Sequence, residues 1–151
     1  MTIRLATADD LGALLRLFAQ LNADDPALED ERARQVFDEI LTLPHLEFIV
    51  AERERHVVAT CYLNVIPNLT RSARPYAILE NVVVERAWRR KGIGKAIVAF
   101  ALSRAWDRGC YKVMLQTGSR RASTPRFYRA CGFASGQRYA FLARPETPGV
   151  G

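Results

Sequence analysis

The sequence predicts a mixed α/β fold. Three observations carry that prediction. Short runs rich in Val and Ile read as strands, and longer segments repeat apolar residues at spacings of three and four. Between one such strand and one such helix lies a turn rich in glycine and arginine, Arg89–Lys95. At 151 residues the chain has the size of one domain. We read that domain as residues 1–144, followed by a flexible tail over 145–151.

Ile3 to Ala6 alternates and reads as a first strand. Thr7 to Asp10 resembles a capping box with Asp in place of Glu. Leu11, Leu14, Leu15, Phe18 and Leu21 then form one helix face, broken by Asn22 to Pro26. A second helix runs from Glu29 to Leu43, with Ala33, Val36, Phe37, Ile40 and Leu41 on one side, and Pro44 ends it. Leu46 to Ala51 and Val57 to Val65 read as a hairpin around the turn Glu52 to His56. Ile66 to Pro75 is a longer loop, and Tyr76 to Val84 is a strand apolar on both faces near its end, as in a buried central strand. The helix after the glycine turn puts Ile93, Ile97, Phe100, Ala101 and Ala105 on one face. Tyr111 to Thr117 is a fifth strand, Thr124-Pro125 opens a short helix ended by Gly132, and Tyr139 to Leu142 is a last strand.

Hydrophobic residues make up 49% and charged residues 25%, which are globular values. No apolar run approaches a membrane span, and the N-terminus lacks a signal-peptide apolar region, so the expectation is a soluble, cytoplasmic protein. The net charge of +6 suits an anionic ligand, a nucleic acid, or simply solvated arginines. Arg32, Arg34, Arg53 and Arg55 sit among acids and fit the last reading; the stretch Arg86 to Lys95, half of it basic, does not. No nucleic-acid motif or interleaved aromatic accompanies the charge, so no nucleic-acid partner is expected. Cys61, Cys110 and Cys131 are too few and too scattered for a disulfide framework or a metal site.

The glycine turn carries the chemistry. A turn from strand into helix aims backbone N–H groups at one spot, which is also the positive end of the helix dipole. Gly92 and Gly94 allow the turn and a close ligand approach, and Arg89, Arg90, Lys91 and Lys95 add positive charge. The implied ligand is a polyanion, most simply a pyrophosphate. The chain has no P-loop string, and the third glycine of a dinucleotide fingerprint is missing.

Arg-x-x-Gly-x-Gly after Val82-Val83-Val84 resembles the coenzyme A loop of the GNAT N-acetyltransferase superfamily. The resemblance covers Tyr76 to Phe133, more than a third of the chain. Glu80 to Val84 is similar to that family's fourth strand and Gly109 to Leu115 to its fifth, and Phe127-Tyr128-x-x-x-Gly132-Phe133 to its closing signature. Gly109-Cys110-Tyr111-Lys112 further resembles the glucosamine-6-phosphate N-acetyltransferase branch. The resemblance implies a central, mostly antiparallel twisted sheet of six to seven strands, flanked by about four helices and splayed between strands 4 and 5. It implies acetyl-CoA as co-substrate, no metal, a small-molecule amine as acceptor, and a homodimer formed through the C-terminal strands.

The same resemblance assigns residues. Glu80 is the candidate base, with the alternatives that it orients substrate or pairs with an arginine. Asn81, where the amino-sugar branch has Asp, is a candidate substrate contact. Val82, Val83 and Val84 offer backbone to pantetheine, and Arg89 to Lys95, Ile93 included, hold the pyrophosphate. Tyr128 is the candidate acid for the departing thiolate, protonated at neutral pH like any ordinary phenol; the plainer reading is a packed tyrosine. The family often has asparagine seven residues earlier, where this chain has Arg121, so Thr124 and Arg126 are the alternative coenzyme contacts. Arg71 and Arg74, on the loop before the central strand, suit an anionic group of the acceptor or are solvated. Two functions compete with a small-amine acetyltransferase: a non-catalytic acyl-CoA-binding module, and an acetyltransferase acting on protein or peptide amines.

Overall fold

The computed structural model describes residues 1–136 and 140–145. These fall into two compact units, Met1–Leu115 and the segment from Gln116 onward.

The first unit is built on a five-stranded sheet in simple chain order: β1 (Thr2–Leu5), β2 (Leu46–Arg53), β3 (His56–Ile66), β4 (Tyr76–Val84) and β5 (Val113–Met114). Every pairing is antiparallel except the last, where β4 and β5 run parallel. α1 (Leu11–Leu21) and α2 (Asp30–Thr42) pack on one face, around a core of Leu14, Leu17, Phe37, Phe48, Val50 and Val83. α4 (Ile93–Asp107) packs against β2, β3 and β4. Its buried stripe is Ile93, Ile97, Val98, Ala101 and Ala105; Val98 replaces the expected Phe100 at its centre, and Phe100 is only half-buried. By strand alternation α4 covers the opposite face, where Ile49, Cys61, Leu63 and Leu79 are nearly inaccessible. The ring of Phe48 stacks on Tyr62 at 4.7 Å and tilts against Phe37 at 5.5 Å.

The edge at β1 is tied down by charge. The Arg4 guanidinium donates to Asp10 Oδ2 at 2.7 Å and Oδ1 at 3.0 Å, and to Glu52 Oε2 at 3.0 Å. Asp10 also accepts the Thr7 N–H at 2.8 Å, which is the expected capping contact made with the shorter acid.

Five expectations are corrected. The β2–β3 turn is tighter than Glu52–His56: only Glu54 and Arg55 lie outside the strands, at φ 52° and 64°, the mirror-image turn that matches strand twist without an Asn-Gly pair. The loop Ile66–Pro75 contains a turn, α3 (Thr70–Ala73), with left-handed Arg71, Ser72 and Ala73. The fifth strand is two residues long, not seven, because only Val113 and Met114 find partners on β4. The described sheet has five strands, fewer than the six to seven expected. Of the last expected strand, Tyr139 lies outside the described residues, and Ala140 to Leu142 is not strand.

The second unit contains α5 (Ser123–Ala130), which ends at Cys131 and the left-handed Gly132.

Candidate active site

β4 changes character halfway along. Ala77 pairs with Val113 and Ile78 with Met114, and there the ladder stops. From Leu79 to Val84 the edge away from β3 has no strand partner among the described residues. Apart from the Val84 carbonyl, which accepts from Arg89, its outward backbone donors and acceptors are therefore available to an extended ligand, as in strand addition.

A bulge sits at the same place. Tyr62 pairs with Glu80 and Thr60 with Val83, so two steps on β3 face three on β4. The extra residue is accommodated by Asn81 at φ 52°. Asn tolerates the left-handed region better than most side chains. In a regular strand Glu80 and Val83 would lie on opposite faces. The bulge puts them on the same one, toward α1 and α2, where Val83 is core and Glu80 remains exposed. Asn81 is thus not the simple opposite-face neighbour that a regular strand predicts.

Glu80 makes no hydrogen bond or ion pair with any described residue. Its cross-strand neighbour Tyr62 was not apparent in the sequence. Tyr62 is half-buried against Phe48, and burial pushes its hydroxyl up. The available signal was the alternation of β3, which becomes useful only once the register with Glu80 is known.

Beyond Val84 the chain makes a 3-10 turn, Arg86–Trp88, and enters the glycine loop. The Arg89 Nε–H donates to the Val84 carbonyl at 2.9 Å, so this arginine also braces the turn. Arg90 at φ 61° and Gly92 at φ 80° reverse the chain. At Gly92, just before α4, a side chain would be strained, not crowded. Ile93 is buried, so its side chain belongs to the core and only its backbone is available. The first turn of α4 carries no acid, and its leading N–H groups have no intrahelical acceptor. Lys91 Nζ and the Arg53 guanidinium lie 4.5 Å and 5.0 Å from the Trp88 ring, joining the loop to the β2–β3 turn. Arg90, Lys91 and Lys95 are exposed.

The two loop arginines differ. Arg74 donates from Nε to the Gly109 carbonyl and from Nη2 to the Cys110 carbonyl, each at 3.3 Å, and so fastens the α4–β5 turn. Arg71 lies over the Tyr111 ring at 6.0 Å. A cavity of about 440 Å³ at the start of β4 is lined mainly by Val65, Pro67, Leu69 and Pro75, and adjoins none of the candidate residues Glu80 to Lys95.

In the second unit, half-buried Tyr128 lies between Phe127 at 5.0 Å and Phe133 at 6.0 Å. The Thr124 hydroxyl bonds Ser119 Oγ at 2.8 Å, and Arg126 is exposed.

An unpaired strand edge, a bulge beside a free carboxylate, and a glycine loop at a helix start share one strand–turn–helix unit. Comparisons with known proteins identify the family. A solved structure from Agrobacterium tumefaciens strain C58, provisionally named an acetyltransferase, is similar with a TM-score of 0.92 and 41% identity over 96% of this chain and 100% of that one. A glucosamine 6-phosphate N-acetyltransferase 1 from Oryza sativa subsp. japonica is 31% identical over 85% of this chain and 78% of its own length. A glucosamine 6-phosphate N-acetyltransferase from Trypanosoma brucei brucei is 34% identical, but the match spans about half of each chain, 54%. The model of the acetyltransferase (GNAT) family matches residues 14–133. The chain belongs to the acetyltransferase (GNAT) family of N-acetyltransferases.

Proposed function

We propose that this chain moves the acetyl group of acetyl-CoA directly to the primary amine of a small molecule, within a ternary complex. One observation carries the reading: an unpaired carboxylate, Glu80, stands where β4 bulges and loses its outer partner. The open edge from Val82 to Val84 receives the pantetheine arm, and the backbone N–H groups around Gly92, Ile93 and Gly94, with Arg89, Arg90, Lys91 and Lys95, receive the pyrophosphate. Thr124 and Arg126 are carried over as coenzyme-contact candidates from the sequence alone.

The chemistry needs few groups. The amine nitrogen attacks the thioester carbonyl and its lone pair becomes the new C–N bond. Glu80 takes the amine proton, directly or through water. A backbone N–H of the open edge steadies the tetrahedral oxyanion. The C–S bond breaks, its electron pair leaves on sulfur, and Tyr128 donates a proton to the thiolate. The names of the amino-sugar acetyltransferases among the relatives support an amine on a small polar acceptor.

The test is thiol release from acetyl-CoA with a panel of amino sugars, amino-sugar phosphates, polyamines and lysine peptides. Turnover on a small amine is expected. Binding of acetyl-CoA without release on any amine would establish the non-catalytic reading instead, and preference for lysine peptides the protein-acetylating one. We also propose a homodimer through the C-terminal segment, supported by the exposure of Phe141 (91%) and Leu142 (74%). Light scattering at micromolar concentration should give twice the chain mass of 17.0 kDa, and the monomer mass would reject it.

A further inference from the structure

The two faces of the sheet are finished differently. On the α4 side Cys61, Leu63, Val65, Ala77 and Leu79 are all buried. On the other side Tyr62, Asn64 and Ile78 are only half-buried and Glu80 is exposed. α1 and α2 thus close over Phe48 and Val83 and leave this patch of β3 and β4 open. Register puts three of its side chains in one row: Phe48 lies opposite Tyr62, and Tyr62 opposite Glu80. Facing residues of neighbouring antiparallel strands hold their Cβ atoms about 5 Å apart.

The Tyr62 ring is fixed in that row. It stacks on Phe48 at 4.7 Å and 22°, and Phe48 tilts against Phe37 at 5.5 Å and Phe18 at 6.1 Å. The Tyr62 hydroxyl makes no hydrogen bond with any described residue. No fully buried side-chain oxygen or nitrogen among those residues lacks a partner, so this hydroxyl reaches open space. A buried tyrosine ordinarily spends its hydroxyl on a neighbour. Here a rigid ring carries an unspent hydroxyl on the same face as the unspent carboxylate of Glu80. Burial favours the protonated phenol, whose oxygen can accept as well as donate.

We propose that the Tyr62 hydroxyl contacts the acceptor nitrogen and orients it for attack. This rests on Glu80 meeting the amine. A neutral primary amine has two N–H groups and one lone pair. The lone pair must face the thioester carbon, where it becomes the C–N bond. One N–H points to Glu80, whose carboxylate takes that proton. The second N–H donates to the Tyr62 oxygen, stays on nitrogen and becomes the N–H of the amide product. The C–S bond breaks with its electron pair on sulfur. With both hydrogens held, the lone pair has one direction left. Tyr62 neither gains nor loses a proton, which separates its role from that of Tyr128.

The experiment compares the parent with Tyr62→Phe, which keeps the stacked ring and removes only the hydroxyl. The acceptors are glucosamine and N-methylglucosamine, a secondary amine with a single N–H. That one N–H must serve Glu80, so none is left for Tyr62. Tyr62→Phe should lower kcat/KM for glucosamine about tenfold, and with it the ratio of glucosamine to the N-methyl compound. KM for acetyl-CoA and the urea midpoint should stay at parent values. Equal losses on both amines, an unchanged rate on glucosamine, or a loss that follows a fallen urea midpoint would overturn the contact. If the N-methyl compound does not react, the loss on glucosamine at an unchanged midpoint decides. Should the parent acetylate no amine, the proposed activity fails, and calorimetry with glucosamine in the presence of coenzyme A decides the contact by itself. Tyr62→Phe must then bind glucosamine about tenfold more weakly than the parent. Equal affinities, or a parent that does not bind it, overturn the proposal.

Discussion

Glu47 and Glu80 are both strand glutamates, and the molecule treats them in opposite ways. Glu47 lies near the start of β2, opposite Leu63 of β3 and two residues before the pairing with β1 begins. Its side chain is buried and accepts from Arg104 at 2.7 Å and 3.0 Å and from Arg108 Nη1 at 2.9 Å. These arginines stand at the C-terminal end of α4, where positive charge also suits the helix dipole. Glu80 stands where β4 has lost one neighbour, is exposed, and has no described partner. One carboxylate is consumed in fastening helix to sheet. The other is left without a described partner, as the proposed role of base requires. Each has one strand partner, Leu63 or Tyr62, so what separates the two is the pair of arginines that α4 brings to Glu47 and that no described element brings to Glu80.

Adding a carboxylate where the fold has none should give the largest effect. The first turn of α4 is free of acids. Gly94→Asp puts a negative charge beside the pyrophosphate while favouring the helix dipole. Acetyl-CoA affinity should fall by about 100-fold or more in calorimetry, with no loss of thermal stability. Unchanged affinity would end the assignment of this loop to the coenzyme.

Removing the free carboxylate comes next. Glu80→Gln keeps shape and loses the base, so kcat should fall about 100-fold or more, while acetyl-CoA affinity and the urea midpoint stay at parent values. A variant that keeps parent kcat would make Glu80 a bystander. Glu47→Ala should invert the pattern. It leaves two partly buried guanidinium groups without their acceptor and should cost about 2–3 kcal/mol in urea unfolding. Activity per folded molecule should persist. Loss of activity without loss of stability would erase the distinction between the two glutamates.

What the sequence makes legible follows from the range of each interaction. The strand, glycine turn and helix from Tyr76 to Asp107 are encoded locally, in a Val run, two glycines and an apolar period, and the fold forms them there. The bulge at Asn81 depends on register with β3, which no single strand reveals, although Asn is itself a faint signal for a left-handed position. The left-handed Arg71–Ala73 contains neither glycine nor asparagine and is held by Asn68, so no local rule finds it. That Arg74 also fastens the α4–β5 turn shows only once its partners, 35 and 36 positions away, are visible. The fifth strand reads longer than it is because apolar pattern records burial, whereas strand length records pairing.

The smallest effect concerns pH, and it follows from the same contrast. Burial pushes the Glu47 carboxyl up, but the hydrogen bonds and charges of Arg104 and Arg108 outweigh it and hold the group below its ordinary value. The Arg4 guanidinium, against an opposing effect of burial, does the same to Asp10, with help from Thr7. A depressed carboxyl stabilises the fold fully above the unfolded value, about 4.3 for Glu. As pH falls below that, the unfolded chain takes up the proton while the folded one resists, and the stabilisation drains away until the folded group protonates too. Urea midpoints of the parent should therefore hold from pH 7 to about 5 and decline toward pH 3. Glu47→Gln should start lower at pH 7, because an amide is a poorer partner for two guanidiniums, and decline less steeply over the acid range. Adding Asp10→Asn should flatten the curve further, since both groups act with the same sign. A Glu47→Gln curve that runs parallel to the parent would mean that the buried pair contributes nothing that protonation removes. The contrast with Glu80 would then rest on packing alone.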